Sequence, residues 1–220
     1  MRELVAIDLA PGPAFVAALR RIWDRGDAAF PLDQRLPGPA RSAVLHAVAP
    51  HRMLDRTSAD PSTFRADAPP MADGDRLVVA SSGTTGAPKA VVHSNAALVA
   101  HARAVHTHLQ VDPARDRWLA CLPLAHVGGI GVVVRSLLTD TPVDVLAGFD
   151  ADVVADAPTA LGTTLVSLVP TALDRLDPTP FRWVVLGGSG DPHRRPANVV
   201  HTYGLTETGG GVVYDGTPLP

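Results

Sequence analysis

The order of apolar runs and helical repeats predicts an α/β fold with largely parallel sheets flanked by helices. Three observations carry that prediction. From Leu77 onward, short apolar runs alternate with stretches of helical periodicity, the pattern of strand–helix units. Two of the later runs lead straight into glycine turns, at Gly187 and at Gly204, where strands of a parallel sheet present ligand sites at their carboxyl ends. Hydrophobic residues make up 46% of the 220, enough for a sizeable core in one large or two small domains.

The first elements are read from spacing. Phe15, Ala18, Leu19, Ile22 and Trp23 recur at helical intervals and Gly26 follows as a stop. Ala28-Ala29-Phe30 is a candidate strand ending at Pro31. Residues 32–40 read as a Pro/Gly-rich connection, Val44, Leu45 and Val48 as a short helix, and 57–75 as an exposed loop.

The regular part begins with strands at 77–80 and 90–92. Ser94 suits the N-cap of a helix whose apolar face is Leu98, Ala102, Val105 and Leu109. Strands follow at 118–122, 143–146, 164–169 and 182–186. Between them lie helices carrying Ile130, Val133, Val134, Leu137 and Leu138, then 151–157, then 172–176. Val199 to Tyr203 is the last clear strand before a turn at Gly204–Glu207. The connection from Gly187 to Asn198 carries Pro192 and Pro196 and is short for a parallel crossover. No internal repeat is present.

Composition excludes several classes of function. A net charge of −3 with no basic run predicts no nucleic-acid partner and no anionic membrane surface. The single cysteine, Cys121, cannot form an internal disulfide and reads as a small buried hydrophobe. The start of the chain lacks a leader pattern, and no apolar run reaches membrane-spanning length, so a soluble, cytoplasmic chain is expected. His101, His106 and His108 include no pair at i, i+4 and have no carboxylate or cysteine cluster near them, which speaks against a metal centre.

The densest chemistry lies in Ser81-Ser82-Gly83-Thr84-Thr85-Gly86-Ala87-Pro88-Lys89. Glycines let backbone N–H groups approach an anion, and hydroxyls and an ammonium add donors, as in a loop that wraps phosphate oxygens. A Ser/Gly-rich hairpin turn accounts for the same composition. Lys89 is the only lysine; every other Lys/Arg position is arginine, and the two cations are not interchangeable at a phosphate. A Walker A loop is excluded, because Pro88 stands where a glycine is needed and Ala90 where a hydroxyl is needed.

This loop, with Leu122-Pro123-Leu124-Ala125-His126-Val127-Gly128-Gly129 and Tyr203-Gly204-Leu205-Thr206-Glu207-Thr208 after it in that order, resembles the motifs of the adenylate-forming enzymes, the acyl- and aryl-CoA synthetases and their relatives. The resemblance runs from about Asp75 to the end and implies the large N-terminal (AMP-binding) domain of such an enzyme over 1–220. The family's ribose-binding aspartate motif, hinge and lysine-bearing C-terminal domain are not in the sequence, so the chain is expected to be incomplete at the C-terminus. Ser81, Ser82, Gly83, Thr84, Thr85, Gly86 and Lys89 would hold the β- and γ-phosphates of ATP. Tyr203 and Gly204 would meet adenine, Thr206 phosphate, and Glu207 Mg²⁺. His126, Gly128 and Gly129 would line the site of the acid. Gly187, Gly188 and Ser189 resemble the family's second glycine turn, which lines the adenine and acyl pocket.

The activity so implied is ATP-dependent formation of an acyl adenylate followed by transfer to coenzyme A, with Lys89, His126, Thr206 and Glu207 as the catalytic set. The motif combination is most similar to the o-succinylbenzoate-activating subgroup of menaquinone biosynthesis. Expected partners are a small carboxylic acid, ATP and CoA, a separate lysine-bearing chain, and a second copy in a homodimer. A ligase for another aryl or acyl acid, and a nucleotide- or acyl-binding module without turnover, are the alternatives. Read without the family, Thr206-Glu207 is also an ordinary helix first turn, and His126 an incidental residue of a strand-to-helix turn.

Overall fold

A computed structural model describes residues 2–57, 60–81, 87–188, 190 and 195–220. The chain divides into two compact units. Unit 1 takes Met1–Ala96 with Leu124–His126, and unit 2 takes Ala97–Pro123 with Val127–Pro220.

Unit 1 runs β1 (Leu4–Ile7), α1 (Pro13–Asp24), β2 (Ala28–Pro31), α2 (Gly38–Val48), β3 (Arg52–Leu54), β4 (Ser62–Thr63), β5 (Asp75–Ser81) and β6 (Lys89–Ser94). Among the described residues these strands form one sheet in the order β4-β3-β1-β2-β5-β6. The centre is parallel and both edge pairs, β3–β4 and β5–β6, are antiparallel. Leu4 and Ala6 of β1, Ala28 and Phe30 of β2 and Val78 of β5 share a core with Val44 and Val48 of α2. Alternation turns Val5 and Ile7 to the other face, and they too are buried. α1 packs on β1 and β2 through the apolar stripe that its spacing predicts.

Unit 2 opens near the start of α3 (Asn95–Leu109), followed by β7 (Trp118–Ala120), α4 (Val127–Leu138), β8 (Val143–Val145), α5 (Ala151–Leu161), β9 (Leu165–Leu168), α6 (Pro170–Leu173), β10 (Trp183–Leu186), β11 (Val199–Leu205), a 3₁₀ turn (Thr206–Thr208), β12 (Gly210–Tyr214) and β13 (Thr217–Pro218). Its sheet order is β13-β12-β11-β10-β9-β7-β8, parallel from β8 to β11 and antiparallel beyond. Leu119, Val166, Val184 and Val199 of the strands pack with Val154 and Ala157 of α5 and Phe181 in a separate core. Among the described residues, no helix is long and apolar enough to cross a membrane.

The structure corrects several expectations. β1 lies where none was expected, because a central strand buried on both faces shows no alternation, and the three-residue β3 lies where none was expected as well. α2 begins at Gly38, inside the presumed Pro/Gly connection, since proline is accepted in a helix's first turn. β4 interrupts the presumed 57–75 loop. The strand expected over 118–122 stops at Ala120. α5 continues past 157 to Leu161 despite Pro158, capped in front by Asp150, whose carboxylate accepts from the N–H groups of Asp152 and Val153, and behind by left-handed Gly162. α6 starts at Pro170 and ends at Leu173, ahead of the 172–176 expectation. The strand at Val199 does not end at Tyr203. It runs to Leu205 and returns as β12, so the turn is a 3₁₀ segment later in the chain.

Candidate functional site

In unit 1 the Ser/Gly/Thr stretch joins β5 to β6, which pair antiparallel from Asp75↔Ser94 to Ser81↔Lys89. The loop is thus a hairpin connection. Ser82, Gly83, Thr84, Thr85 and Gly86 lie outside the described residues. The loop's two described ends, Ser81 and Lys89, face each other across the ladder, and Lys89 is exposed. A strand, not a helix, follows the lysine, which independently excludes the Walker A arrangement.

Beside this hairpin unit 1 contains a cavity of about 330 Å³. Its walls come from Phe30 and Pro31 of β2, Ala43 and Val44 of α2, and Ala80 and Pro88 at the hairpin. Asp33, Ser81 and His126 are the polar side chains of its lining. Arg35 joins two of them. Its Nε and one Nη2 hydrogen grip Asp33 at 2.9 and 2.8 Å, its backbone N–H donates to the same carboxylate at 3.0 Å, and Nη2 lies 3.2 Å from Nε2 of His126. Nε2 of His126 also lies 3.5 Å from the Asp33 carboxylate, so this ring nitrogen stands between a guanidinium donor and a carboxylate acceptor. Hydrogen bonds from Arg35 hold the Asp33 carboxyl down at about 2 although burial opposes this. Asp33 and Arg35 were not expected from the sequence. The signal that marks them is their position just past the carboxyl end of a parallel strand, where ligands of such sheets bind.

Unit 2 holds the remaining expected residues. Gly128 and Gly129 form the first turn of α4, while His126 of the same motif belongs to unit 1. A Cβ on Gly129 would lie 2.3 Å from the Pro123 carbonyl oxygen, so that glycine is required for close packing whatever else it does. Gly187 follows β10 directly and donates its N–H to the Leu168 carbonyl at 3.0 Å. Gly188 is left-handed, φ 100°. Ser189 lies outside the described residues, as do four of the residues between Gly187 and Asn198; the described ones there form no helix.

Since Leu186 pairs with His201, β11 overshoots β10 and carries Tyr203 and Leu205 beyond its neighbour, both exposed on one face. A protruding aromatic ring of this kind is a surface on which a flat ligand can stack. The turn after it is pinned by Thr208, whose Oγ1 accepts the Leu205 N–H at 2.8 Å and reaches the carbonyl oxygens of Leu205 and Gly210 at 2.9 and 2.7 Å. Thr206 and Glu207 project from that turn, and the Glu207 carboxylate has no hydrogen bond or ion pair among the described residues. An exposed, unpaired carboxylate beside a hydroxyl suits a hard cation. The histidines of α3 are otherwise engaged. His101 Nε2 lies 2.9 Å from the Gly211 carbonyl, His106 accepts from the Trp118 indole, and His108 packs on Tyr214. No cluster of three or more metal-binding side chains occurs among the described residues.

A profile described as AMP-binding enzyme matches residues 57–220, three quarters of the chain and all three motifs. The chain belongs to the AMP-binding enzyme family. It is 38% identical over 163 residues to the probable 2-succinylbenzoate–CoA ligase of Mycobacterium tuberculosis, covering 65% of this chain and 42% of that protein. This chain therefore spans less than half the length of that relative. Its fold matches O-succinylbenzoate coenzyme A synthetase from Bacillus subtilis solved in complex with AMP, at TM-score 0.82 and 24% identity, over 100% of this chain and 69% of the other. The same synthetase in complex with ATP and magnesium ion gives TM-score 0.80 and 22% identity, over 97% and 65%.

Proposed function

We propose that residues 1–220 form the N-terminal AMP-binding portion of an ATP-dependent acid–CoA ligase whose acid is o-succinylbenzoate. The observation that carries this reading is Lys89. The single lysine of the chain stands exposed at the base of a Ser/Gly/Thr hairpin, in a chain related to a 2-succinylbenzoate–CoA ligase.

In unit 1, Ser81 and Lys89, with the Ser82–Gly86 stretch between them, are assigned to the β- and γ-phosphates of ATP, where an ammonium on a flexible stem follows the charge of a leaving pyrophosphate. His126 is assigned to the acid's carboxylate. In unit 2, Tyr203 offers its exposed ring to adenine, Gly187, Gly188 and Ser189 line the adenine and acyl pocket, and Gly128 and Gly129 keep the first turn of α4 close to the preceding loop. Thr206 is assigned to phosphate, and Glu207 would hold Mg²⁺, which supplies neutralisation of phosphate charge when bound. The acid oxygen attacks the α-phosphorus and pyrophosphate leaves, and the CoA thiol then displaces AMP from the acyl adenylate. With Lys89 committed to phosphate, the lysine the family brings from its C-terminal domain is expected in cis or from a partner chain, in a cytoplasmic enzyme.

The test is calorimetry with ATP and Mg²⁺ on the wild type and Lys89→Ala. A charge-assisted hydrogen bond is worth about 1.5–3 kcal/mol, so the variant should bind roughly tenfold more weakly or worse. Equal affinities would remove the phosphate role. Pyrophosphate release with o-succinylbenzoate should be very slow for 1–220 alone and rise when a lysine-bearing portion is added. No release in either case would favour a binding module without turnover.

A further inference from the structure

Helix α3 and strand β12 of unit 2 meet at two points. His101 Nε2 lies 2.9 Å from the Gly211 carbonyl oxygen, and the ring centres of His108 and Tyr214 are 5.0 Å apart. From His101 to His108 a helix rises about 10 Å, and from Gly211 to Tyr214 a strand spans about 10 Å. The helix therefore runs alongside β12 and matches it at both ends. Its buried face, Leu98, Ala102, Val105 and Leu109, seats it in the unit. A carbonyl oxygen can only accept, so Nε2 of His101 carries the proton of its bond to Gly211. The ring is close as well as bonded: a Cβ on Gly210, whose φ is 140°, would fall 3.0 Å from its Cε1. These anchored residues close the turn that carries Thr206 and Glu207. Gly210 pairs with Leu205 and Gly211 with Gly204, and the ladder shifts register between Tyr203 and Gly204. Beyond that shift the ladder consists of these two pairs, and Thr208 ties the turn to itself. His101 ties the same tip to a helix outside the hairpin, 110 residues away in sequence.

We propose that His101 is a positioning residue of the site: from α3 it fixes where the tip of the β11–β12 hairpin stands, and so where Glu207 offers its carboxylate to Mg²⁺. The proposal rests on the assignment of Glu207 to Mg²⁺ and adds to it a residue that acts through the turn. Thr208 shapes the turn from inside, whereas His101 sets its place against the rest of unit 2. Without the ring's N–H, the Gly211 carbonyl loses that donor and the tip is left to bend at the register shift, where strands bend most readily. A hard cation is held by oxygen atoms at defined distances, so a displaced carboxylate weakens the metal-dependent part of binding and leaves the rest.

The experiment compares ATP titrations of the 220-residue chain with Mg²⁺ and with EDTA, for the wild type, His101→Leu and His101→Gln, at a temperature where urea midpoints show all three folded. His101→Leu should bind ATP with Mg²⁺ about threefold to tenfold more weakly, and ATP in EDTA as the wild type does. His101→Gln, whose amide restores an N–H donor, should recover most of the loss. A change that merely loosened the core would weaken both titrations alike. Nitrogen-15 spectra give a readout without ligand. The His101 ring should carry a proton on Nε2, and the amide signals of Thr206 and Glu207 should shift or broaden in His101→Leu and return in His101→Gln. An unchanged magnesium dependence in His101→Leu, equal losses with and without Mg²⁺, or a His101 ring protonated on Nδ1 alone would overturn the proposal. The two readings fail separately. If Glu207→Gln leaves the magnesium dependence intact while the amide signals respond to His101 as described, His101 positions the turn and the assignment of Glu207 falls. If Glu207→Gln removes that dependence and His101→Leu does not change it, the metal site stands and His101 does not position it.

Discussion

The indole N–H of Trp118 donates to Nε2 of His106 across 3.3 Å, and both side chains are buried. The bond requires His106 to keep a lone pair at Nε2, with its proton on Nδ1. Burial, and then the charge of Arg135, which lies 4.6 Å over the Trp118 ring, push His106 from 6.5 to about 4. The unfolded chain therefore takes up a proton, as the pH falls, before the folded one does. Stability from this group is complete above about pH 6.5 and lost as the pH falls towards about 4. Urea midpoints followed by circular dichroism should drop between pH 7 and 4.5, and His106→Phe should flatten that drop. An unchanged slope in the variant would show that other groups set it.

Asp116 is nearly fully buried and is held by both Nε and Nη2 of Arg182, at 2.9 and 2.6 Å, by Thr164 and by the Asp112 N–H. Arg182 also donates to the Leu109 and Gln110 carbonyls, so the pair joins the end of α3 to the entries of β7, β9 and β10. Removing Arg182 strands the buried charge of Asp116. Because the Arg182 side chain is 38% exposed and water can reach it, Arg182→Ala should cost less than a fully buried pair would, about 1.5–3 kcal/mol in urea unfolding at pH 7. A loss under about 1 kcal/mol would mean that water replaces the guanidinium.

A Cβ on Gly204 would fall 1.9 Å from the carbonyl oxygen of Gly210, whereas one on Gly148 would meet nothing within 4 Å. Gly204→Ala must force the β11–β12 pair apart, and a loss of about 1–3 kcal/mol or more is expected. Gly148→Ala should be close to neutral. Comparable thermal midpoints for the two variants would contradict the tight crossing of these strands.

Thr208 fixes the turn from which Thr206 and Glu207 project. Thr208→Val removes the acceptor of the Leu205 N–H and the one proton that the hydroxyl can give to the Leu205 or the Gly210 carbonyl, and since the residue is exposed the net loss should be modest, about 0.5–1.5 kcal/mol. Binding of ATP with Mg²⁺ should weaken about threefold to tenfold, and Thr208→Ser should behave as wild type. Glu207→Gln should instead reduce the magnesium dependence of that binding. If it does not, Glu207 is only the acid of a 3₁₀ turn.

The sequence showed α1 because five buried residues fall on one helical stripe, and it showed the alternation of strands and helices after Leu77 because each strand is bounded by polar or glycine residues. β1 stayed hidden because four consecutive buried residues have no period to read. β12 stayed hidden because it opens on Gly210-Gly211, which looks like a loop. In the fold those glycines are needed where His101 and Thr202 leave no room for a Cβ. The site was legible in the same uneven way. The Ser81–Lys89 stretch stands out by composition alone. Asp33 and Arg35 do not, since only the parallel pairing of β2 with β5, Ala29 opposite Leu77, brings their loop beside the hairpin and no local pattern encodes that pairing.

The solitary exposed lysine at the start of β6 has a practical consequence. Reagents that acylate or reductively methylate primary amines have one side chain to attack in the whole sequence, at Lys89, besides the terminal amine. A ¹³C-methyl group placed there would give a single side-chain resonance at the mouth of the hairpin, readable in the presence of any nucleotide or acid without a mutation and without assigning the rest of the spectrum.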